Sequence, residues 1–259
     1  MDVLIETTLD AKIESLFEYR MFDILYQLSG KQKSDISRFH GQLKSLQSSI
    51  YHLDAHLEEN WEINQGILSQ RWFDIYKSLA TFGIPLENCE SYCNHIKRYE
   101  THEIQIRQGK MPERYTMEYF YFYKSCDVKL LRKLIFEKLL VGKSRFLPSE
   151  WRWFDLITEV NDDVEDLFED LDFINGNRFL ISIIRNGKIK TKTEFESFIH
   201  FIRSKNVTPQ MPTTYWQEII HKRCFENIDL TMQLLNENLD KFTEGDIKRS
   251  RLYHYLKLQ

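Results

Sequence analysis

The stretch DLITEVNDDVEDLFEDLD, running from Asp155 to Asp172, places nine carboxylates in 18 residues, and no Lys or Arg stands between Arg152 and Arg178. At about 100° per residue, all nine acids fall within half of a helix surface. Leu156, Ile157, Val160, Val164, Leu167 and Leu171 fill the other half. Two faces this sharply divided make the segment an amphipathic helix. Like charges at i,i+4, such as Asp162/Asp166 and Asp166/Asp170, oppose that helix by roughly 0.2–0.5 kcal/mol per pair. A face that repels itself calls for an external counter-charge, either bound cations or a basic partner.

Outward from this segment the chain keeps a helical grammar. Nine Gly and five Pro in 259 residues leave long intervals between turn residues. Within those intervals apolar residues recur at spacings of three and four, as in Ile13, Leu16, Phe17, Met21, Ile24, Leu25 and Leu28, and again in Leu130, Leu131, Leu134, Ile135 and Leu139. The pattern predicts about nine or ten helices. Strand alternation is nearly absent, and Phe179 to Ile184 is the one short β-like run. With no repeat, low-complexity tract or obvious linker, residues 1–259 read as a single all-α domain, a helical bundle. Eighteen Phe and thirteen Tyr suit an interior built around large apolar groups.

The net charge is −4 overall and −9 in the acidic segment, so the remainder is about +5. That balance offers no basic footprint for a nucleic-acid partner. The opening, MDVLIETTLDAKIESL, carries acids and a helical pattern rather than the basic and apolar regions of a signal peptide. No apolar stretch approaches bilayer length, so no transmembrane segment is expected. Cys89, Cys93, Cys126 and Cys224 have no CxxC spacing and read as free thiols of a reducing, cytoplasmic compartment. Zinc at Cys89 and Cys93 with His95 and His102 is a minor reading.

Two ladders in the acidic segment are candidate metal ligands. Asn161, Glu165 and Glu169 form one; Asp162, Asp166 and Asp170, on the adjacent face, form the other. Either presents oxygen donors at a spacing of about 6 Å along a helix. Oxygen donors suit Mg²⁺, which often bridges protein carboxylates to substrate phosphates. A weaker acidic patch puts Asp54 and Glu58 on one helical face, with His52 and His56 interleaved and no third zinc ligand beside them. Lys124-Ser125-Cys126-Asp127 follows the aromatic run Tyr119 to Tyr123 and opens a basic stretch that includes Lys143, Arg145 and Arg152. Some of these cations are expected to pair with the acidic helix; a lysine leaving an aromatic wall also suits phosphate recognition. Lys248 to Tyr253 is a second basic and aromatic cluster, containing Arg251.

In this order the pieces resemble the class I isoprenoid (terpenoid) synthase superfamily. Asn161 to Glu169 looks like the terpene-cyclase motif NDxxSxxxE, with Glu165 where Ser or Thr is usual, and also like the DxxxD motif of squalene and phytoene synthases. His52 to Glu59 resembles a degenerate first aspartate motif. Lys124 and Asp127 stand where the family often has a diphosphate-sensing base and a linker acid, and Arg251 with Tyr253 is similar to its C-terminal Arg-Tyr pair, here split by Leu252. The resemblance spans most of the chain. It implies an all-α bundle around a central apolar cavity and metal ligation by Asp54, Glu58, Asn161, Asp162, Glu165, Asp166 and Glu169. It further implies more than one Mg²⁺, a prenyl diphosphate substrate and catalytic roles for Lys124, Asp127, Arg251 and Tyr253. The reaction implied is ionisation with loss of diphosphate, followed by cyclisation or coupling; a homodimer is allowed.

A non-catalytic interaction protein is the competing expectation. Its acidic helix would be exposed for a basic partner and its core filled. A ferritin-like carboxylate site wants two ExxH motifs, and only Glu218-x-x-His221 fits.

Overall fold

The computed structural model describes residues 2–141, 148–206 and 215–256. Among them there is no strand, and fourteen α-helices follow one another. The first six are α1 (Asp2–Tyr19), α2 (Phe22–Ser29), α3 (Lys33–Glu59), α4 (Gln65–Ala80), α5 (Leu86–Tyr92) and α6 (Asn94–Ile106). Next come α7 (Met117–Lys124), α8 (Cys126–Leu134), α9 (Arg152–Glu165) and α10 (Arg178–Asn186). The last four are α11 (Lys188–Lys205), α12 (Tyr215–Lys241), α13 (Glu244–Arg249) and α14 (Arg251–Leu256). No helix among the described residues is long and apolar enough to cross a membrane. Lys143 and Arg145 lie outside the described residues.

The count exceeds the nine or ten expected because several boundaries carry neither Gly nor Pro. Ser125 separates α7 from α8, its hydroxyl donating to the carbonyls of Tyr121 and Phe122. Ser250 separates α13 from α14 and accepts from the Tyr253 amide at 3.4 Å. Such hydroxyls offer the backbone a local alternative to the helical ladder. The β-like run from Phe179 to Ile184 is instead the body of α10. Asn177 caps its N-terminus by accepting from the Leu180 amide at 2.8 Å, and Phe179, Leu180, Ile181 and Ile183 are all buried. The six residues from Phe179 to Ile184 are apolar except for Ser182 and too few to show the helical period; the polar stripe of α10 is completed by Arg178, Arg185 and Asn186 at its ends. Gly187, at φ +78°, then turns the chain into α11.

The chain forms two compact units, interleaved in sequence. The first comprises Met1–His56, Glu62–Arg98 and Cys126–Leu147. Its buried apolar residues include Phe17, Phe22 and Leu25 from α1 and α2, Leu43, Leu46, Ile50 and Leu53 from α3, and Leu131 and Leu134 from α8. A π-helical turn, Ile135–Leu139, follows α8 and packs on α2.

The second unit comprises Leu57–Trp61, Tyr99–Ser125 and Pro148–Gln259. Here α9 is the hub, lying along α12 and touching α7, α10 and α11. Cys224, Ile228, Thr231, Leu235 and Leu239 recur at helical spacing on α12 and are buried. Two polar bonds set their register against α9: Thr231 Oγ1 donates to Asn161 Oδ1 at 2.9 Å, and Asn238 Nδ2 donates to the Val164 carbonyl at 2.6 Å. The second satisfies a carbonyl that the end of α9 leaves without a helical partner.

Candidate functional site

The acidic segment is not one helix. α9 ends at Glu165, Asp166 caps it, a turn carries the chain to Glu169, and Asp170–Asp172 form a 3₁₀ turn. The termination has an electrostatic logic, because carboxylates at a helix C-terminus meet the negative end of its dipole as well as one another. Nor do the acids share one solvated face. Asp155, Glu159 and Asp163 are buried, whereas Glu165, Asp166, Glu169 and Asp172 are exposed.

Asp163 is the anchor. Its side chain has no exposed surface, and three donors reach it: Lys124 Nζ on Oδ1, with Tyr121 Oη and the Arg178 amide on Oδ2, each of the latter at 2.8 Å. α7 supplies Lys124 and Tyr121 from successive turns, an i,i+3 pair on one helix face. Burial works against the charge on Lys124, but Asp163, Glu159 and Asp162 outweigh it and hold the ammonium above the usual lysine range. Burial and the neighbouring Asp163 push the Tyr121 phenol far upward, so it stays protonated as a donor.

The loop Asn175-Gly176-Asn177 closes around the next acid. Asn175 Nδ2 donates to Asp170 Oδ1 and Asn177 Nδ2 to Asp170 Oδ2, both at 2.6 Å. Asn177 Nδ2 also reaches the Asp163 carbonyl at 2.8 Å. Burial raises the Asp170 carboxyl, and the two asparagines partly offset the shift. Asp166 retains solvent contact, yet desolvation and then the repulsion of Asp170 push it up to about 7; Asp162 and Glu169 add to this while Lys124 opposes it. The mutual repulsion expected along this ladder is therefore present at Asp166.

Of the other ladder, Asn161 and Glu165 are paired. Asn161 accepts from Thr231 and donates through Nδ2 to Glu165 Oε2 at 3.0 Å, and Glu169 lies beyond the helix. Asp54 and Asp127 belong to the first unit, where Asp127 accepts from Gln47 Nε2 at 2.8 Å and from the Val128 amide at 2.6 Å. Glu58 belongs to the second unit, and its carbonyl accepts from the Ile174 amide, next to the asparagine loop, at 2.8 Å. Arg251 and Tyr253 stand half-buried on α14, which packs against the Asp170–Asp172 turn. Among the described residues the Arg251 guanidinium has no hydrogen-bond or ion-pair partner. Arg249 donates to the Phe168 carbonyl at 3.2 Å. Of the cations from Lys124 to Arg152, Lys124 meets an acid of α9, whereas Arg152 pairs with Glu118 at 2.6 Å.

Sequence reasoning missed three participants. Asp163 was one acid among nine, the asparagine loop was turn punctuation, and Glu103 on α6 had no distinguishing neighbour. Glu103 is 1% exposed, and burial first of all raises its carboxyl to about 7. The thiols are buried and free, with burial pushing both Cys93 and Cys224 up to about 12. His56 meets the Asn64 carbonyl at 3.2 Å.

Among the described residues no three His, Cys, Asp or Glu side chains stand close enough together to hold a metal ion. The donors around Asp166 are nonetheless all carboxylate oxygens, the ligand type a hard divalent cation takes, and their mutual repulsion is what such an ion would relieve. Comparisons with protein-family models, with curated proteins and with solved structures found no match for the chain.

Proposed function

We propose that the protein is a Mg²⁺-dependent class I isoprenoid synthase acting on a prenyl diphosphate. The observation that supports this reading is the Asp166 carboxyl, pushed up to about 7 by desolvation first and then by Asp170, Asp162 and Glu169, near a lysine held charged by a buried acid. Mg²⁺ ions would supply neutralisation of the diphosphate leaving group, each held by one or two carboxylates from among Asp162, Asp166 and Glu169, with diphosphate oxygens as further ligands. Lys124, oriented by Asp163, would add a fixed positive charge. Arg251, half-buried and without a partner among the described residues, is the second cation suited to diphosphate oxygens. Asp127, Tyr253, Asp54 and Glu58 keep the roles implied by resemblance alone, as does a homodimer.

The test is diphosphate release from C10, C15 and C20 prenyl diphosphates with and without Mg²⁺. Release with one of them is expected, together with a Mg²⁺-dependent rise in Tm. Asp162→Ala and Glu169→Ala should each abolish turnover while leaving the circular dichroism spectrum unchanged. Full activity in both variants would overturn the ladder assignment, and no release with any substrate would overturn the catalytic reading. The four exposed carboxylates at the end of α9 favour one alternative, an acidic docking surface for a basic protein segment. That reading predicts salt-sensitive, Mg²⁺-independent binding of a basic peptide.

A further inference from the structure

Glu103 sits against the back of the asparagine loop, and the fit between them is unusually close. A Cβ built on Gly176 would lie 2.3 Å from Glu103 Oε1 and 3.4 Å from Ile106 Cδ1. Gly176 has no positive φ, so it is room beside Glu103 rather than backbone torsion that favours glycine here. The residues on either side of it, Asn175 and Asn177, each donate to a different oxygen of Asp170. Any outward shift of Gly176 must therefore rotate or release both amides that hold that carboxylate. The loop is also tied at Ile174, whose amide donates to the Glu58 carbonyl, and at Arg178, whose amide donates to Asp163. Both ends of the loop are thus pinned, and Glu103 lies against its middle.

We propose that Glu103 is a positioning residue of the carboxylate cluster, bracing Gly176 so that Asn175 and Asn177 hold Asp170 in a fixed orientation. The groups facing Glu103 are Tyr99 and Arg107 from α6, Lys124 from α7 and the Gly176 amide of the loop. Arg107 contributes mainly charge, because its guanidinium is committed to the carbonyls of Leu57, Asn60, Trp61 and Glu103. A neutral side chain of the same shape should therefore brace the loop as well as Glu103 does, and a smaller one should not. The consequence for metal binding rests on the proposed function, whereas the bracing itself does not.

The side-chain amide signals of Asn175 and Asn177 in ¹⁵N-resolved NMR spectra of the full chain report the brace directly. Glu103→Ala should speed the solvent exchange of these amide protons by about tenfold or more. Gly176→Ala, whose Cβ meets Glu103 and so displaces the loop or its brace, should do the same. Glu103→Gln should restore wild-type exchange at the same pH. In the same samples, Mg²⁺ affinity should fall about tenfold in Glu103→Ala and Gly176→Ala and return in Glu103→Gln. Unchanged asparagine exchange in Glu103→Ala, or a Glu103→Gln variant as mobile as Glu103→Ala, would overturn the proposal. Should Glu103→Ala fail to fold, Gly176→Ala and Glu103→Gln decide the matter by the same readout. Wild-type protein that binds no Mg²⁺ would refute the metal reading and leave the asparagine result to judge the brace.

Discussion

Asp163 carries more of this site than any of the acids around it that sequence spacing singles out. With its side chain fully buried and Lys124 only 19% exposed, the pair has little water to fall back on. Removing one member leaves a charge in a desolvated position, which typically costs about 3–5 kcal/mol. Asp163→Ala should therefore lower stability by about that amount, read from the urea unfolding midpoint. Asp162→Ala, at a position with more solvent contact and like-charged neighbours, should cost little stability or raise it slightly. Those two outcomes separate the structural acid from the proposed ligand, although the residues are adjacent in sequence. Nothing in the spelling Asn161-Asp162-Asp163 distinguishes them. The distinction comes from which way each points off α9, and that depends on helices 39 and 70 residues away in the chain.

Among the elements, α10 shows how one residue can join a helix end to a site. Asn177 caps α10, holds Asp170 and ties back to the Asp163 carbonyl. An ordinary exposed cap offers a scale: Thr243, in the capping box of α13, should cost about 1 kcal/mol on mutation to alanine. Asn177→Ala should cost more, roughly 2–4 kcal/mol, because it also leaves a buried carboxylate short of a donor. Thermal unfolding of the two variants side by side tests the difference. Apolar spacing identified the chain as helical, since each helix buries a stripe on its own account. It failed for α10, whose run from Phe179 to Ile184 is too short to show the period that Arg178, Arg185 and Asn186 complete, and at Ser125 and Ser250, where bonds between a hydroxyl and the backbone mark helix boundaries without turn residues.

Across the whole molecule, these buried acids set how stability responds to pH. Glu103 takes up its proton near 7 in the native state, against an ordinary value of 4.5. Between those values the folded chain binds the proton more tightly than the unfolded chain, so stability falls as pH rises from about 4.5 through 7. The loss from Glu103 amounts to about 3 kcal/mol, and Asp166 and Asp170 act with the same sign. Urea midpoints at pH 5 and pH 8 should reveal the slope, and Glu103→Gln should flatten it. Exposed carboxylates held low by partners, such as Glu14 and Asp246, act below pH 4.5 and only weakly. If the metal reading holds, Mg²⁺ at 100 times its Kd should restore about 2.7 kcal/mol at pH 8. By itself the sequence determined the all-α class, the position of the acidic cluster and the candidacy of Lys124, because amphipathic periodicity and charge density are properties of neighbouring residues. Only the tertiary structure decided that the acidic run breaks at Glu165, that Asp163 is its buried anchor, that Asn175 and Asn177 hold Asp170, and that Glu103 is buried against Gly176. Those facts depend on contacts between residues far apart in the chain, whose desolvation and donor geometry no local spacing records.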